Sequence, residues 1–223
     1  MYASSVRWPL PVCLAGALVL AGGCSTSTVH PSSGYTALPK TTPEPAQTVA
    51  APQLPEPEKA TTAMVRPPAS TIRKGGGYAK VGSPYRIGMR WYHPKVDNRY
   101  DRTGTASWYG KDFHGKKTAN GEYFDMRRLS AAHPTLPLPS LVSVTNLANG
   151  RSVVVRVNDR GPYAHNRLID LSREAARLLD FEHLGTARVR VAYVGKAPLN
   201  GDDSYEWRHL AAQSWYRRSF ASR

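Results

Sequence analysis

Three side chains that can move protons stand beside turn signals in one stretch of this sequence, residues 104–170. Glu122 follows an Asn-Gly pair, His133 precedes a proline, and Asp159 precedes an Arg-Gly-Pro sequence. Carboxylates and imidazoles often act as general acids and bases, and loops on a rigid β-scaffold are where such groups converge. Taken singly, Asp159 fits an Asx-turn residue and Glu122 a solvated turn carboxylate. The stretch predicts a site only if the fold brings the three together.

The segments that must position these residues are predicted to be short strands around one helix. Apolar patterning predicts four strands, at residues 105–109, 141–147, 152–157 and 187–194. Asn149-Gly150 predicts a hairpin turn between the second and third strands. Ser172, followed by Glu174, predicts the start of a helix. Short strands with glycine turns and one helix favour a small, mostly β barrel, whose core of about 100 residues can fold without disulfides.

Segments of different composition flank this domain. Residues 78–102 are aromatic and interrupted by prolines, which predicts an extended lead-in packed on the domain surface. Residues 197–223 mix aromatic side chains with Arg and Ser. They predict either an amphipathic helix over residues 205–218 or a disordered basic tail.

The first 23 residues are typical of a lipoprotein signal peptide. Arg7 precedes an apolar run over residues 9–20 that is shorter than the roughly 20 residues a membrane-spanning helix needs. The sequence Ala21-Gly-Gly-Cys24 resembles the bacterial lipobox, in which the cysteine becomes the acylated first residue. A plain signal peptide with an incidental Cys24 is the alternative. Residues 24–77, rich in Pro, Ser and Thr, predict a disordered tether that ends in a glycine hinge at residues 75–77.

Net charge and cysteine usage limit the classes of partner and cofactor. The chain of 223 residues carries a formal charge of +14, which predicts affinity for nucleic acid, a membrane surface or an acidic polymer. The export signal argues against nucleic acid. Both cysteines, Cys13 and Cys24, lie in the N-terminal segment, so no disulfide or cysteine-based metal site is expected in the rest of the chain. No metal and no cofactor is expected.

Four motifs follow one another in the stretch that holds the candidate residues. They are Gly104-Thr-Ala-Ser-Trp-Tyr-Gly110, Thr118-Ala-Asn-Gly-Glu122, Ala131-Ala-His133-Pro134 and Val157-Asn-Asp159-Arg-Gly-Pro162. Together these motifs are similar to those of the RlpA (rare lipoprotein A) family of bacterial septal lytic transglycosylases. The resemblance covers about residues 85–194. It implies a six-stranded double-psi β-barrel over residues 103–196, with one or two short helices and a fold related to that of expansins. Many members end in a SPOR domain, which binds peptide-stripped glycan at the septum. Residues 197–223 are too few for one, so septal targeting by that route is not expected.

The resemblance also implies an activity, cleavage of the β-1,4 bond between N-acetylmuramic acid and N-acetylglucosamine in peptidoglycan. In lytic transglycosylases the C6 hydroxyl of the muramic acid attacks in place of water and leaves a 1,6-anhydro end. One acid that later serves as the base can then suffice. By family position Asp159 is that acid/base. Glu122 and His133 are expected to support it through hydrogen bonds, charge and substrate positioning.

Substrate contacts are expected from five further residues, Trp108, Tyr109, Asn120, Arg160 and Tyr163. Trp108 fits a core residue equally well. Arg160 presents a conflict, because an acid at neutral pH needs a raised pKa whereas a neighbouring guanidinium lowers the pKa. The arginine is therefore expected either to point away from Asp159 or to contact the acetamido or lactyl groups of the sugar.

The export signal, Cys24 and the tether predict a periplasmic protein that is lipid-anchored to the inner face of the outer membrane, or to the cell membrane. The expected partners are peptidoglycan glycan strands, the membrane and division proteins, in cell-wall remodelling and daughter-cell separation. No nucleic acid is expected. The alternative is a non-catalytic, expansin-like glycan-binding or division-scaffold lipoprotein. That alternative predicts that Asp159→Asn retains cellular function.

Overall fold

The computed structural model describes residues 70–164 and 166–221. The predicted signal peptide, Cys24 and most of the predicted tether lie outside the described residues. Three α-helices are described, α1 (Arg173–Leu178), α2 (Ser204–Ala212) and α3 (Ser214–Ala221). The strands are β1 (Tyr85–Ile87), β2 (Arg90–Tyr92), β3 (Asp101–Tyr109), β4 (Ser130–Ala132), β5 (Ser140–Asn146), β6 (Ser152–Asp159), β7 (Arg167–Ser172) and β8 (Thr186–Lys196).

Six of these strands close into a barrel in the order β3-β7-β4-β6-β5-β8. The β3–β7 and β4–β6 pairs are parallel, and the other four pairs are antiparallel. Closure pairs both edges of every strand, which removes the exposed edges of an open sheet. The prediction of a mostly β, six-stranded barrel with short helices is confirmed.

The barrel is filled by the side chains that the alternating pattern pointed inward. Val142 and Val144 of β5 and Val153, Val155 and Val157 of β6 are completely buried in one hydrophobic cluster. This period of two leaves the intervening positions of β6 free to carry polar groups on the outer face.

The predicted hairpin and helix start are also confirmed. Asn149 and Gly150 lie in the turn between β5 and β6, and Gly150 has a φ of 71° that suits glycine. Ser172 caps α1, because its side chain accepts a hydrogen bond from the Ala175 backbone amide at 3.3 Å. α1 then buries its apolar face against the barrel.

The structure adds two barrel strands that the sequence patterns did not indicate. β4 is only three residues long, too short to show a period. In β7 the adjacent Leu168 and Ile169 break the strict alternation of apolar and polar residues. The lead-in also differs from the prediction, since residues 85–92 form the β1–β2 hairpin rather than a plain extended segment.

The end of the predicted tether is packed against the barrel, which corrects the prediction of a glycine hinge. Gly75 is buried, and a Cβ on Gly201 would lie 2.3 Å from the Gly75 backbone nitrogen. Lys74 forms an ion pair with Asp203 at 2.8 Å. The Tyr78 backbone amide donates to the Asn120 carbonyl oxygen at 2.9 Å. These glycines permit close backbone approach rather than bending.

The C-terminal residues form two helices, where the sequence predicted one helix or a disordered tail. α2 ends at Ala212, the following Gln213 has an extended conformation, and α3 begins at Ser214. Trp207 and Leu210 of α2 are buried in the main hydrophobic cluster, so α2 is part of the folded domain. No helix in the described part of the chain is long and apolar enough to cross a membrane.

Candidate active site

The carboxyl group of Asp159 lies at the end of β6, where it is held by one oxygen. Its Oδ1 accepts hydrogen bonds from the backbone amides of Ala119 at 2.9 Å and Arg160 at 2.8 Å. Its Oδ2 accepts no hydrogen bond from any described residue. Burial raises the pKa of Asp159 and outweighs the lowering effect of the two amides and of the Arg160 charge. A half-buried carboxyl with a raised pKa and one unoccupied oxygen can carry and deliver a proton.

The loop that supplies the Ala119 amide is a tight turn on β6. The Thr118 amide donates to the Glu122 carbonyl oxygen at 2.8 Å, and the Gly121 amide donates to the Thr118 carbonyl oxygen at 2.9 Å. Gly121 has a φ of 87°, in the region that favours glycine. The Asn120 amide reaches the Asn158 carbonyl oxygen of β6 at 3.4 Å. The Asn-Gly signal in the sequence therefore marks the turn that positions the catalytic candidate.

Glu122 anchors this loop as a buried anion. Its carboxylate accepts two bonds from the Arg156 guanidinium, at 3.0 and 2.5 Å, and further bonds from the side-chain amides of Asn158 at 3.0 Å and Asn120 at 3.1 Å. Burial alone would raise the pKa of Glu122, but the hydrogen bonds and the Arg156 charge lower it below its ordinary value. Glu122 is therefore a fully bonded anion that holds no proton to donate, and the supporting role expected of it in catalysis stays a prediction.

Asn120 is placed differently from the prediction that it contacts substrate. Its side chain is completely buried, and its Oδ1 accepts from the Thr118 hydroxyl at 2.8 Å and from the Glu122 backbone amide at 3.3 Å. The Nδ2 group donates to Glu122. All of these bonds are internal to the loop, so Asn120 stabilises the turn instead.

His133 is buried and uses both ring nitrogens within the protein. Its Nδ1 accepts from the backbone amides of Thr135 at 3.2 Å and Leu136 at 3.1 Å, which assigns the proton to Nε2 and directs it to the Tyr100 hydroxyl at 2.8 Å. Burial, with the Arg160 charge, lowers the pKa of His133 to about 3, so the ring is neutral. Its backbone amide donates to the Asp159 carbonyl oxygen at 3.0 Å. The histidine thus positions the backbone of Asp159.

Arg160 points away from the Asp159 carboxylate. Its Nη1 donates to the carbonyl oxygens of His133 at 3.1 Å and Leu136 at 2.6 Å, and its Nη2 donates to that of Val81 at 2.7 Å. The first of the two expected orientations is therefore observed. The guanidinium joins the lead-in to the barrel, and its bonds to carbonyl groups leave it poorly placed for the predicted sugar contact.

Tyr163 is the predicted substrate contact that lies exposed beside Asp159. Its ring is 40% exposed and packs edge-on against Tyr92 and Tyr85, with centroid distances of 5.7 and 6.1 Å. The Tyr85 hydroxyl donates to the Pro134 carbonyl oxygen at 2.7 Å. The β1–β2 hairpin therefore contributes aromatic side chains that pack against Tyr163 near Asp159. Sequence patterns alone did not indicate this contact.

Trp108 and Tyr109 are placed differently from the prediction that their side chains contact substrate. The Trp108 indole donates to the Glu182 carbonyl oxygen at 3.1 Å and lines a separate cavity with Arg177, Asp180 and His183. The Tyr109 ring stacks on Phe124 at 4.2 Å, which covers one of its faces. These packing contacts account for the departure from the prediction.

The hydroxyl of Tyr109 nevertheless faces the site. It is buried. Burial raises its pKa well above the ordinary value, the charges of Asp159 and Asp170 raise it further, and the Ser130 side chain beside it lowers its pKa. The phenol is therefore close to both carboxylates.

Three functional candidates were missed in the sequence, namely Arg156, Asn158 and Asp170. Arg156 interrupts an apolar run in β6, and it is 7% exposed. Asp170 interrupts a similar run in β7. A charged residue inside a buried strand was the available signal, since such a group is retained only when it is paired or used. No cluster of three metal-ligating side chains occurs among residues 70–164 and 166–221.

The barrel domain is similar to proteins of known sequence family. Residues 101–191 match the family model described as lytic transglycolase. A Rickettsia bellii protein named endolytic peptidoglycan transglycosylase RlpA is 52% identical over 121 residues, which cover 53% of this chain and 53% of that protein. Proteins of the same name from Pseudomonas aeruginosa and Neisseria meningitidis serogroup A are 52% and 49% identical over 126 residues. These cover 56% of this chain and 35% and 53% of the relatives.

The closed six-stranded barrel and the matched family model identify the domain as a double-psi β-barrel. Over this domain the chain is similar to the lytic transglycolase family model and to the RlpA relatives. The chain spans about half, or less, of the length of the curated relatives it matches.

Proposed function

We propose that this protein is an endolytic lytic transglycosylase of peptidoglycan. The observation that carries the proposal is the Asp159 carboxyl group, which has a raised pKa, one oxygen fixed by two backbone amides and the other oxygen unoccupied. The names of the relatives support the same reaction class and substrate. Expansin-like binding without catalysis is the competing function, and the product analysis of the wild type and of Asp159→Asn separates the two.

In the proposed reaction, protonated Asp159 gives its proton through Oδ2 to the oxygen of the β-1,4 bond as the bond to C1 of N-acetylmuramic acid breaks. The C6 hydroxyl of the same sugar attacks C1 and closes the 1,6-anhydro ring. Its proton returns to the Asp159 carboxylate, which restores the acid. The Ala119 and Arg160 amides keep the carboxyl group in place throughout because they bind the other oxygen. Tyr163 is proposed as a platform for a sugar ring beside it.

The proposal extends to location. Cys24 is proposed as the lipid-bearing residue, with the following segment as a tether that lets the barrel reach the cell wall from the inner face of the outer membrane. The formal charge of +14 favours anionic wall and lipid head groups. Division proteins are proposed as partners in daughter-cell separation. Labelled palmitate should enter the wild type and not a Cys24→Ser variant, and equal labelling of both would contradict the anchor.

The activity is tested by incubating the purified protein with intact and with peptide-stripped sacculi and analysing the products by mass spectrometry. Anhydro-muropeptides are expected from the wild type. Asp159→Asn should abolish them while the protein stays folded, because the asparagine oxygen can still accept the Ala119 and Arg160 amides. Asp112→Asn, which changes an exposed carboxylate, is the matched control and should remain active. A folded wild type that yields no anhydro products on either substrate would overturn the proposal.

A further inference from the structure

Asp170 lies on the same outer patch of the barrel as Asp159. Ala132 of β4 is paired with Asp159 of β6 on one side and with Asp170 of β7 on the other. Paired residues on neighbouring strands project to the same face of a sheet. The next position, Ala131, is paired with Val157 and Leu171, which face the core. An irregularity in the β4–β6 register between Ala131 and Ala132 sets Asp159, rather than Asn158, opposite Ala132. The two aspartates therefore flank one alanine of β4, and both side chains are partly exposed.

The strand spacing sets the distance between the two groups. Neighbouring strands lie about 4.8 Å apart, so the Cα atoms of Asp159 and Asp170 are separated by roughly 10 Å. The Tyr109 hydroxyl senses both charges from the adjoining strand. In two-carboxylate glycosidases, carboxyl groups about 6.5–9.5 Å apart leave room for the anomeric centre and a nucleophile that is not a carboxylate. Side chains that extend from Cα atoms at this separation can hold their carboxyl groups within that range.

The surroundings of Asp170 keep it accessible and ionisable. Its side chain is 16% exposed. It accepts a hydrogen bond from the Ser107 hydroxyl, and Arg167 of its own strand lies 3.5 Å away. The charge that acts on Asp170 is that of Arg167. The other titratable groups of the patch are Tyr109 of the adjoining β3 and, two strands away across β4, Asp159. Burial raises the pKa of Asp170, while the Ser107 bond and the Arg167 charge lower it.

We propose that Asp170 is a second catalytic carboxylate, which stabilises the oxocarbenium-like charge at C1 of the muramic acid from the side opposite Asp159. This inference rests on the proposed function. Asp159 handles both protons, so Asp170 exchanges none and acts as an anion placed where positive charge develops. The barrel register, rather than a sequence motif, carries the assignment, because it places the two carboxylates on either side of one residue.

The test compares pH–rate profiles of the full chain on peptide-stripped glycan strands. Asp170→Asn keeps an acceptor for Ser107 but removes the charge, so kcat should fall about 100-fold with little change in KM. The wild-type rate should fall at acid pH as Asp170 becomes protonated, and the residual rate of Asp170→Asn should lack that acid limb. A merely structural aspartate would not set the shape of the profile.

A second variant decides the matter if Asp170→Asn does not fold. The Arg167 charge lowers the pKa of Asp170, so Arg167→Gln should move the acid limb to higher pH. An unshifted limb in Arg167→Gln, or an Asp170→Asn variant within about threefold of the wild-type kcat, would overturn the assignment. In both cases wild-type anhydro products would leave the proposed function standing. A wild type without such products would overturn the proposed function and this inference together.

Discussion

Glu206 should make the stability of the domain fall as the pH rises towards neutrality. This residue of α2 is completely buried, and neither carboxylate oxygen has a hydrogen-bond partner among the described residues. It lines a small polar cavity together with Glu122, Arg156 and Asp203. Burial raises its pKa from 4.5 to about 7. The Asp203 charge also raises the pKa, and the Arg156 charge partly offsets this effect.

The sign and the magnitude follow from linkage. In the folded protein Glu206 holds its proton to about pH 7, whereas in the unfolded chain it releases the proton near pH 4.5. Its contribution to stability is fully present below the unfolded pKa and is lost as the pH rises through the folded pKa. Each pH unit between the two values is worth about 1.4 kcal/mol, so the loss is on the order of 3 kcal/mol.

Urea unfolding of the wild type and of Glu206→Gln, measured from about pH 4 to pH 8, checks this prediction. The difference in unfolding free energy between the two proteins should change by about 3 kcal/mol between about pH 4.5 and pH 7, then level off. Asp112→Asn is the matched control, because it removes the same charge from an exposed residue that does not act on the pKa of Glu206. A wild type and Glu206→Gln that differ by a constant amount across this range would refute the reasoning.

Two further perturbations test how the loop of residues 118–122, which supplies the Ala119 amide to Asp159, is held in place. Gly77→Ala places a methyl group 2.7 Å from the Glu122 Cγ atom and should cost about 1–3 kcal/mol in the free energy of unfolding. Gly195→Ala is the control, because its Cβ meets nothing within 4 Å, and it should cost less than about 0.5 kcal/mol in the free energy of unfolding. Equal costs for the two variants would contradict the close packing of Gly77 on Glu122. Arg156→Met leaves Glu122 buried without its cation and should cost about 3–5 kcal/mol. Adding Glu122→Gln should recover much of that loss in urea unfolding, and no recovery would show that the pair is not coupled.

Local patterns in the sequence were sufficient for the elements that depend on short-range physics. The alternation in β5 and β6, the Asn149-Gly150 turn and the Ser172 cap are each decided within a few residues, and each is confirmed. β4 was missed because it consists of Ser-Ala-Ala, and only its pairing with β6 and β7 makes it a strand. The family resemblance supplied the barrel closure, which no local pattern contains.

The site was less predictable because its contacts join distant parts of the chain. Arg156 pairs with Glu122 across 34 residues, and nothing near Glu122 in the sequence indicates its partner. Asp159 and Asp170 are brought to one patch by β4, which comes from an earlier part of the chain than either. Such neighbours depend on strand register, and a register shift of one residue would turn them to the opposite face.

The hydrogen bonds explain why motif residues of similar appearance have different roles. A group that exchanges a proton with substrate needs a lone pair or proton that the protein does not already use. Glu122 has both oxygens bonded to Arg156 and its neighbours, and both nitrogens of the His133 ring are occupied. Asp159 alone of the three keeps an unoccupied oxygen within the described structure. Motif spacing therefore indicates the residues that build the candidate site, and the bonding of each side chain separates the proposed acid from the groups that position it.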